Sequence, residues 1–404
     1  VGKVLGRRRR GLVFGVWVFV LLVAVFGAVL KVPLVKGDDE AIYIRADGTI
    51  DPPTAPITTL DNVTYTLTDN ITSSGDGIIV ERDNIIIEGD GYTLQGSGYP
   101  FKGIDLTERS NVTIKNVSIM AFYYGIYLYS SSNNSIIGNK ITTNNAYGIE
   151  LESSSGNSVT GNNITDNDNG IGLLSSSNNN SITGNNVTTN NWVGVVLGLF
   201  SSDNIVSGNN ITANGVDGIQ LGDYSSHNKI SGNNITNNSD GIVLHSSSSN
   251  NISRNNIAAN NEFGIWLYSY SNNNSISGNI IANNYYGIGL SYSSGNSMYG
   301  NNITNNSYGI YFNSSPYNRI YHNNIINNTN IVYFYLSSTN DWDDGYPSGG
   351  NYWSSYIGVD VDGDGIGDTP YIIDANNRDR YPLMTPWPSG PGLHELEVGL
   401  KAPK

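Results

Sequence analysis

The chain has 404 residues, no cysteine, only 13% charged side chains and a formal net charge of −14 at pH 7. Disulfide stapling is therefore excluded, and nucleic acid and anionic lipid are disfavoured as partners, since no basic patch offsets the acidic excess. Abundant Asn, a thermolabile residue, argues against a hyperthermophilic setting.

In chain order, residues 1–37 come first. Arg7 to Arg10 precede an uncharged run from Gly11 to Leu30, which Lys31 and Lys36 follow. A run of this length can cross a bilayer as a helix, and arginines ahead of it stay on the cytoplasmic side. We read an N-terminal membrane anchor. A cleaved signal peptide is the alternative, and both export the remainder. Residues 38–75, with Ile42-Tyr43-Ile44 and Pro52, Pro53 and Pro56, are expected to form an N-terminal cap, because a strand stack needs its first edge covered.

Residues 76–337 are repetitive. From Gly103 to Phe312 the phrase Gly-(Ile/Val)-x-(Leu/Phe) returns ten times at intervals of 22 to 24 residues, as at Gly125-Ile126-Tyr127-Leu128 and Gly148-Ile149-Glu150-Leu151. A second phrase, Gly-Asn-Asn-Ile-Thr, lies between the copies, as at Gly161 to Thr165 and Gly208 to Thr212. Apolar residues alternate with small or polar ones, which is the period of a strand. Asn, Ser and Gly favour tight corners over helix interiors. A helix-free unit of this length suits one coil of a parallel β-helix, with about 11 or 12 coils in all. Like positions then stack about 4.8 Å apart. The first Asn of the second phrase (Asn139, Asn162, Asn185, Asn209, Asn233, Asn255, Asn279, Asn301, Asn323) becomes a column of amides that bond one to the next. Asn-x-Ser/Thr triplets such as Asn62, Asn163, Asn210, Asn234 and Asn302 follow from this composition, and most are expected at buried corners beyond the reach of modification.

Residues 338–384 break the repeat with Trp342, Trp353 and clustered Asp, and are expected to cap the far end; 385–404 are read as a disordered tail. Within the cap, Asp360-Val361-Asp362-Gly363-Asp364-Gly365-Ile366-Gly367-Asp368 matches the first nine positions of an EF-hand-type calcium loop. Asp360, Asp362, Asp364 and Asp368 with the carbonyl of Ile366 are the expected ligands of a structural Ca2+. The twelfth place holds Tyr371 instead of Glu, leaving Asp374 as a substitute.

Ala41 to Gly48, Glu81 to Gly89 and Gly91 to Gly96 at one end, and Trp342 to Tyr346, Gly349 to Trp353 and Arg380 to Met384 at the other, resemble archaeal surface proteins of the NosD-type β-helix family. The resemblance spans about residues 40–385. It implies a right-handed parallel β-helix, all-β, and kinship with domains described as carbohydrate-binding or sugar-hydrolysing; founding members are periplasmic proteins tied to copper supply. Copper handling is not expected here. Soft copper sites want Cys, Met or grouped His, whereas Met120, Met298 and Met384, and His227, His245, His322 and His394, are dispersed through the repeat.

One outward face collects aromatic and acidic residues. The x position holds Tyr127, Glu150, Gln220, Trp266 and Tyr311, and two places on stand Tyr129, Glu152, His245, Tyr268 and Asn313. Just before the Gly are Tyr124, Tyr147, Asp217, Asp240, Phe263, Tyr286 and Tyr308. Rings interspersed with amides and carboxylates suit sugars, although Tyr is also a favoured strand residue that can merely shield an edge. Asp217 with Asp240, on adjacent coils, and Glu150 with Glu152, on one strand, have the spacing that glycoside hydrolysis uses. Outward carboxylates of an acidic protein are more often only solvated. The sequence thus predicts an exported binding or structural module for polysaccharide. A β-helix glycoside hydrolase or polysaccharide lyase is the rival, and a passive envelope spacer the third reading.

Overall fold

The computed structural model describes residues 41–388. The expected anchor and most of the expected tail lie outside the described residues. Within them every regular element is a β-strand, and no helix is long and apolar enough to cross a membrane.

Each coil contributes three short strands. In one coil these are Ser181–Thr183, Asn186–Thr188 and Val195–Leu197; in the next they are Ile205–Ser207, Asn210–Thr212 and Asp217–Leu221. Successive coils pair in parallel and in strict register: Ser181 opposite Ile205, Asn186 opposite Asn210, Val195 opposite Ile219. Three parallel sheets result. The first stays separate throughout, while the second and third merge near the N-terminal end, where long strands such as Thr93–Asp105 and Ser118–Tyr129 turn a corner without breaking. The architecture is the parallel β-helix that the period predicts.

The core follows from alternation. Ile182, Val187, Val195 and Leu197 point inward and are fully buried, and each further coil repeats the set. Burial of each such side chain contributes about 1.5–3 kcal/mol. Corners need left-handed backbone, supplied by Gly184 (φ 64°) and Gly208 (φ 65°) between the first and second strands. Gly148 in the third strand serves a different purpose. A Cβ there would stand 2.8 Å from Ile164 Cγ2 and 2.9 Å from the Gly170 carbonyl, so only Gly lets neighbouring coils approach.

The expected Asn column is present and buried. The Asn185 amide donates to Asn209 Oδ1 at 3.0 Å and to the Val159 carbonyl at 2.9 Å, and Oδ1 of Asn209 also takes the Asn185 backbone N–H. Two further ladders accompany it. One passes through Asn180 and Asn204, the other through Asn190 and Asn214. The corners are thereby satisfied from within, which buried polar groups require.

Both ends differ from expectation in detail. The stack already begins inside the stretch expected as a lead-in: Ile42–Ile44 pairs in parallel with Ile78–Val80, and Thr64–Leu67 with Ile86–Glu88. At the other end Trp342 and Trp353 close the core, each 1% exposed. Asp379 Oδ2 accepts the Trp353 indole N–H at 2.8 Å and the Asn351 backbone N–H at 2.7 Å, ending the central Asn ladder on a carboxylate. Residues 385–388 are not free, contrary to the expected tail. Trp387 stacks on His322 at 3.6 Å and exchanges two hydrogen bonds with Asn324 through its backbone.

The Asn-x-Thr triplets are also placed differently from expectation. Asn163, Asn210 and Asn234 are outward and exposed on the second sheet, because the buried ladder uses the preceding Asn of each Asn-Asn pair.

Candidate functional site

The outward side of the third sheet carries the candidate residues as three parallel rows, and parallel register fixes them. Tyr124 stands opposite Tyr147, Tyr127 opposite Glu150, Asp217 opposite Asp240, and Tyr286 opposite Tyr308.

Near the N-terminal end, Tyr124, Tyr127 and Tyr147 gather round Glu150 and Glu152. Tyr124 and Tyr127 lie 5.0 Å apart by ring centroid, and Tyr123 and Tyr99 extend the cluster edge-on. The Tyr127 hydroxyl donates to Glu152 Oε2 at 2.8 Å. Lys102, paired with Asp105 at 2.7 Å, holds its ammonium 4.2 Å from the Tyr127 centroid. The Tyr147 ring lies across Gly172 of the next coil, where a Cβ would come within 2.7 Å of it.

This packing overturns one expectation. Glu150 is not a solvated outward carboxylate but 4% exposed, and its Oε2 is buried with no hydrogen-bond partner. Burial, reinforced by Glu152 and opposed by Lys102, raises its pKa to about 8. It therefore holds its proton in neutral water. The phenols of Tyr124, Tyr127 and Tyr147 are likewise pushed up, chiefly by burial.

The middle of the face carries Asp217 and Asp240. Asp217 is also 4% exposed, against expectation; the Gln220 amide donates to its Oδ2 at 3.1 Å. Burial and then Asp240 raise its pKa to about 7. Asp240 is raised to about 6 by burial, although the Phe263 N–H donates to its Oδ1 at 2.7 Å.

Toward the C-terminal end rings form a continuous array. Phe263 stacks on Trp266 at 4.9 Å and on Tyr286 at 4.5 Å; Trp266 stacks on Tyr268 at 4.4 Å; Tyr286 meets Tyr308 at 5.0 Å and Tyr311 at 5.2 Å. His245 lies against Tyr268 at 4.7 Å. Gly289 leaves room for the Phe263 ring, as Gly172 does for Tyr147. The structure thus divides the predicted residues into two ring clusters with the Asp pair between. The sequence reading passed over Lys102 and the two glycines. For Gly289 the signal was a Gly at x between coils that carry Trp266 and Tyr311; Gly172, between Glu150 and Val196, carried no such signal.

The C-terminal loop gathers three of its predicted ligands. Carboxylate oxygens of Asp360, Asp362 and Asp364 lie within 4.8 Å of one another. Backbone N–H groups of Gly363 and Gly365 donate to Asp360 at 2.7 and 2.9 Å, holding its carboxyl below the usual range. Asp368 stands aside: its Oδ2 accepts the Val361 N–H at 2.8 Å. Asp374 lies outside this group; it accepts from Asn376 and Asn377 and braces the cap. Ile366 is buried, its N–H donated to Asp364.

For copper the residues do not fit. Among the described residues the Asp360–Asp364 group is the one convergence of three or more His, Cys, Asp or Glu, and it offers hard oxygen donors. Met298 is sealed in the core, while His322 is sandwiched on Trp387 with Nε2 against the Ser348 carbonyl at 2.8 Å.

Comparison with known proteins agrees with the fold. The family model described as periplasmic copper-binding protein (NosD) matches residues 38–192 and 267–358, and one described as right handed beta helix region matches 168–281. No curated protein matches the sequence. Among solved structures the chain is similar to the A-module of the Azotobacter vinelandii mannuronan C-5 epimerase AlgE6, at TM-score 0.55 and 15% identity over 69% of this chain and 88% of that one. The Dettilon tailspike protein gives 0.53 and 17%, over 73% and 68%. The periplasmic alginate epimerase AlgG gives 0.50 and 17%, over 70% and 80%. Identities this low speak for the fold alone.

Proposed function

The chain belongs to the NosD family, described as periplasmic copper-binding proteins, and on that footing we propose that it is an exported β-helix that binds polysaccharide along the ringed face of its third sheet. The observation that carries this reading is the array from Phe263 to Tyr311. Six rings on three successive coils, four of their five contacts stacked, form a continuous apolar array. Sugar rings lay their C–H faces on such surfaces while hydroxyls find the polar neighbours. Two proteins of similar fold are named for epimerising mannuronan or alginate, which supports a glycan ligand for this architecture. The family's copper does not enter the proposal, for the donor set above does not suit it.

Export is assigned to the N-terminal segment, as anchor or signal. A structural Ca2+ is assigned to Asp360, Asp362 and Asp364, where it would offset the repulsion of three converging carboxylates.

A second reading has one observation in its favour. Glu150 is a buried, proton-holding carboxyl two residues from Glu152 on the same strand. Glu150 could give its proton to a glycosidic oxygen while the Glu152 carboxylate takes one from water. The Asp217–Asp240 pair offers the same chemistry with a smaller separation of roles. Affinity electrophoresis through a panel of neutral and acidic polysaccharides, with reducing ends and unsaturated products assayed in parallel, separates the readings. Retardation without new ends supports the binder; new ends abolished by Glu150→Gln or by Asp217→Asn with Asp240→Asn support the enzyme. Free migration through every gel leaves the spacer.

A further inference from the structure

The second sheet turns a row of Asn-x-Thr triplets outward. Asn163, Asn186, Asn210 and Asn234 occupy the same place on four successive coils, and Thr165, Thr188, Thr212 and Thr236 follow two residues on, hence on the same side. The four amides form a directed chain. Asn186 Nδ2 donates to Asn163 Oδ1 at 2.7 Å, Asn210 to Asn186 at 2.8 Å, and Asn234 to Asn210 at 2.8 Å. Asn256 continues it by donating to Asn234 at 2.7 Å.

Such a chain has one end that gives nothing. Asn163 accepts from Asn186, but the coil before it carries Lys140 at the equivalent place, so its own Nδ2 has no amide to donate to. Asn163 is exposed, and its Nδ2 makes no hydrogen bond within the described residues. Asn186, Asn210 and Asn234 each commit the same nitrogen to a neighbour about 4.8 Å away.

We propose that Asn163 is the N-glycosylation site of this row in the folded protein, and that the ladder withholds Asn186, Asn210 and Asn234. In the transfer, Nδ2 of Asn163 bonds to the anomeric carbon of a lipid-linked oligosaccharide. The anomeric C–O bond to the lipid phosphate breaks, the phosphate leaves with the electron pair, and an Nδ2 proton passes to base. A nitrogen already donated keeps a second N–H, but its ladder bond pins the amide along the sheet and must break before the side chain can turn into a transferase, and the glycan must then fit between neighbours one coil apart on both sides. Asn163 is flanked by Asn186 on one side and Lys140 on the other, so what sets it apart is its undonated nitrogen. The proposal needs no glycan on the ringed face, so it stands or falls separately from the binding function.

The test uses purified, folded chain with an oligosaccharyltransferase and a lipid-linked oligosaccharide donor, followed by site occupancy from glycopeptide mass spectrometry. Occupancy at Asn163 should exceed that at Asn186, Asn210 or Asn234 by about tenfold, the ratio set by one net hydrogen bond. Asn163→Ala should move the glycan to Asn186, whose nitrogen then becomes the undonated end; circular dichroism would verify that the variant keeps its fold. Equal occupancy along the row, no occupancy at Asn163, or failure of Asn186 to gain the glycan in the folded variant would each overturn the proposal.

Discussion

Glu150 shows how much a single position can depend on its neighbours' side chains. Its place on the strand is outward, yet rings from its own coil and the preceding one cover it, and the carboxyl keeps its proton. Its folded pKa, raised to about 8, exceeds its ordinary value near 4.5, so between those limits the folded chain binds a proton that the unfolded chain releases. Stability therefore falls as pH rises through that window. Asp217, at about 7, acts in the same sense over its lower range. Thermal melts from pH 5 to pH 8.5 should show a declining Tm, and Glu150→Gln should flatten part of the slope. A variant whose slope equals that of the parent would remove Glu150 from the explanation.

The buried Asn ladder gives the second prediction at this scale. Asn209→Ala removes acceptors for the Asn185 amide and backbone N–H and leaves them buried. About 1–3 kcal/mol per stranded donor is the expected loss, read from urea unfolding. Asn210→Ala, on the exposed row one residue on, should cost less than about 0.5 kcal/mol.

At the scale of the element, coils and caps were not equally legible. The strands were readable because each inward residue, such as Ile182 or Val206, recurs with fixed period and its partner is simply the next copy. The central Asn column was readable for the same reason. The flanking ladders through Asn180 and Asn190 carried an equal signal that Asn-rich corners camouflaged. What covers Glu150 was not readable, because it depends on which way Tyr147 leans, and Gly172 one coil later carries no signal of that. The cap was readable as a break in composition, but its bonds were not. Asp374 looks like a spare calcium ligand in sequence and is in fact bound to Asn377. The loop makes its own prediction. If Asp360, Asp362 and Asp364 hold Ca2+, millimolar Ca2+ should raise the Tm over the value in EDTA, and Asp362→Asn should abolish the difference. Equal melting in both buffers would discard the calcium assignment while leaving the cap's Trp342 and Trp353 packing intact.

For the whole molecule, the β-helix converts one sequence phrase into distinct surfaces. Inward positions make a dry core, corners make amide ladders, the second sheet makes an exposed Asn/Thr row, and the third sheet makes rows of rings and carboxyls. Nine of the 20 basic and five of the 34 acidic residues lie outside residues 41–388, leaving 11 against 29 in the described part. Lys102 is the single cation drawn into the ring clusters among the described residues. Such a surface resists polyanions and leaves stacking on rings as the main source of affinity for a glycan.

The most direct measurement is calorimetric titration of a retained oligosaccharide into the parent chain, the Trp266→Ala/Tyr286→Ala double variant, and Tyr299→Ala on the opposite first sheet. Loss of two ring contacts of about 0.5–1.5 kcal/mol each predicts affinity weakened about tenfold in the double variant, with the Tyr299→Ala chain unchanged. Undiminished affinity in the double variant, or an equal loss from Tyr299→Ala, would contradict binding along the ringed face.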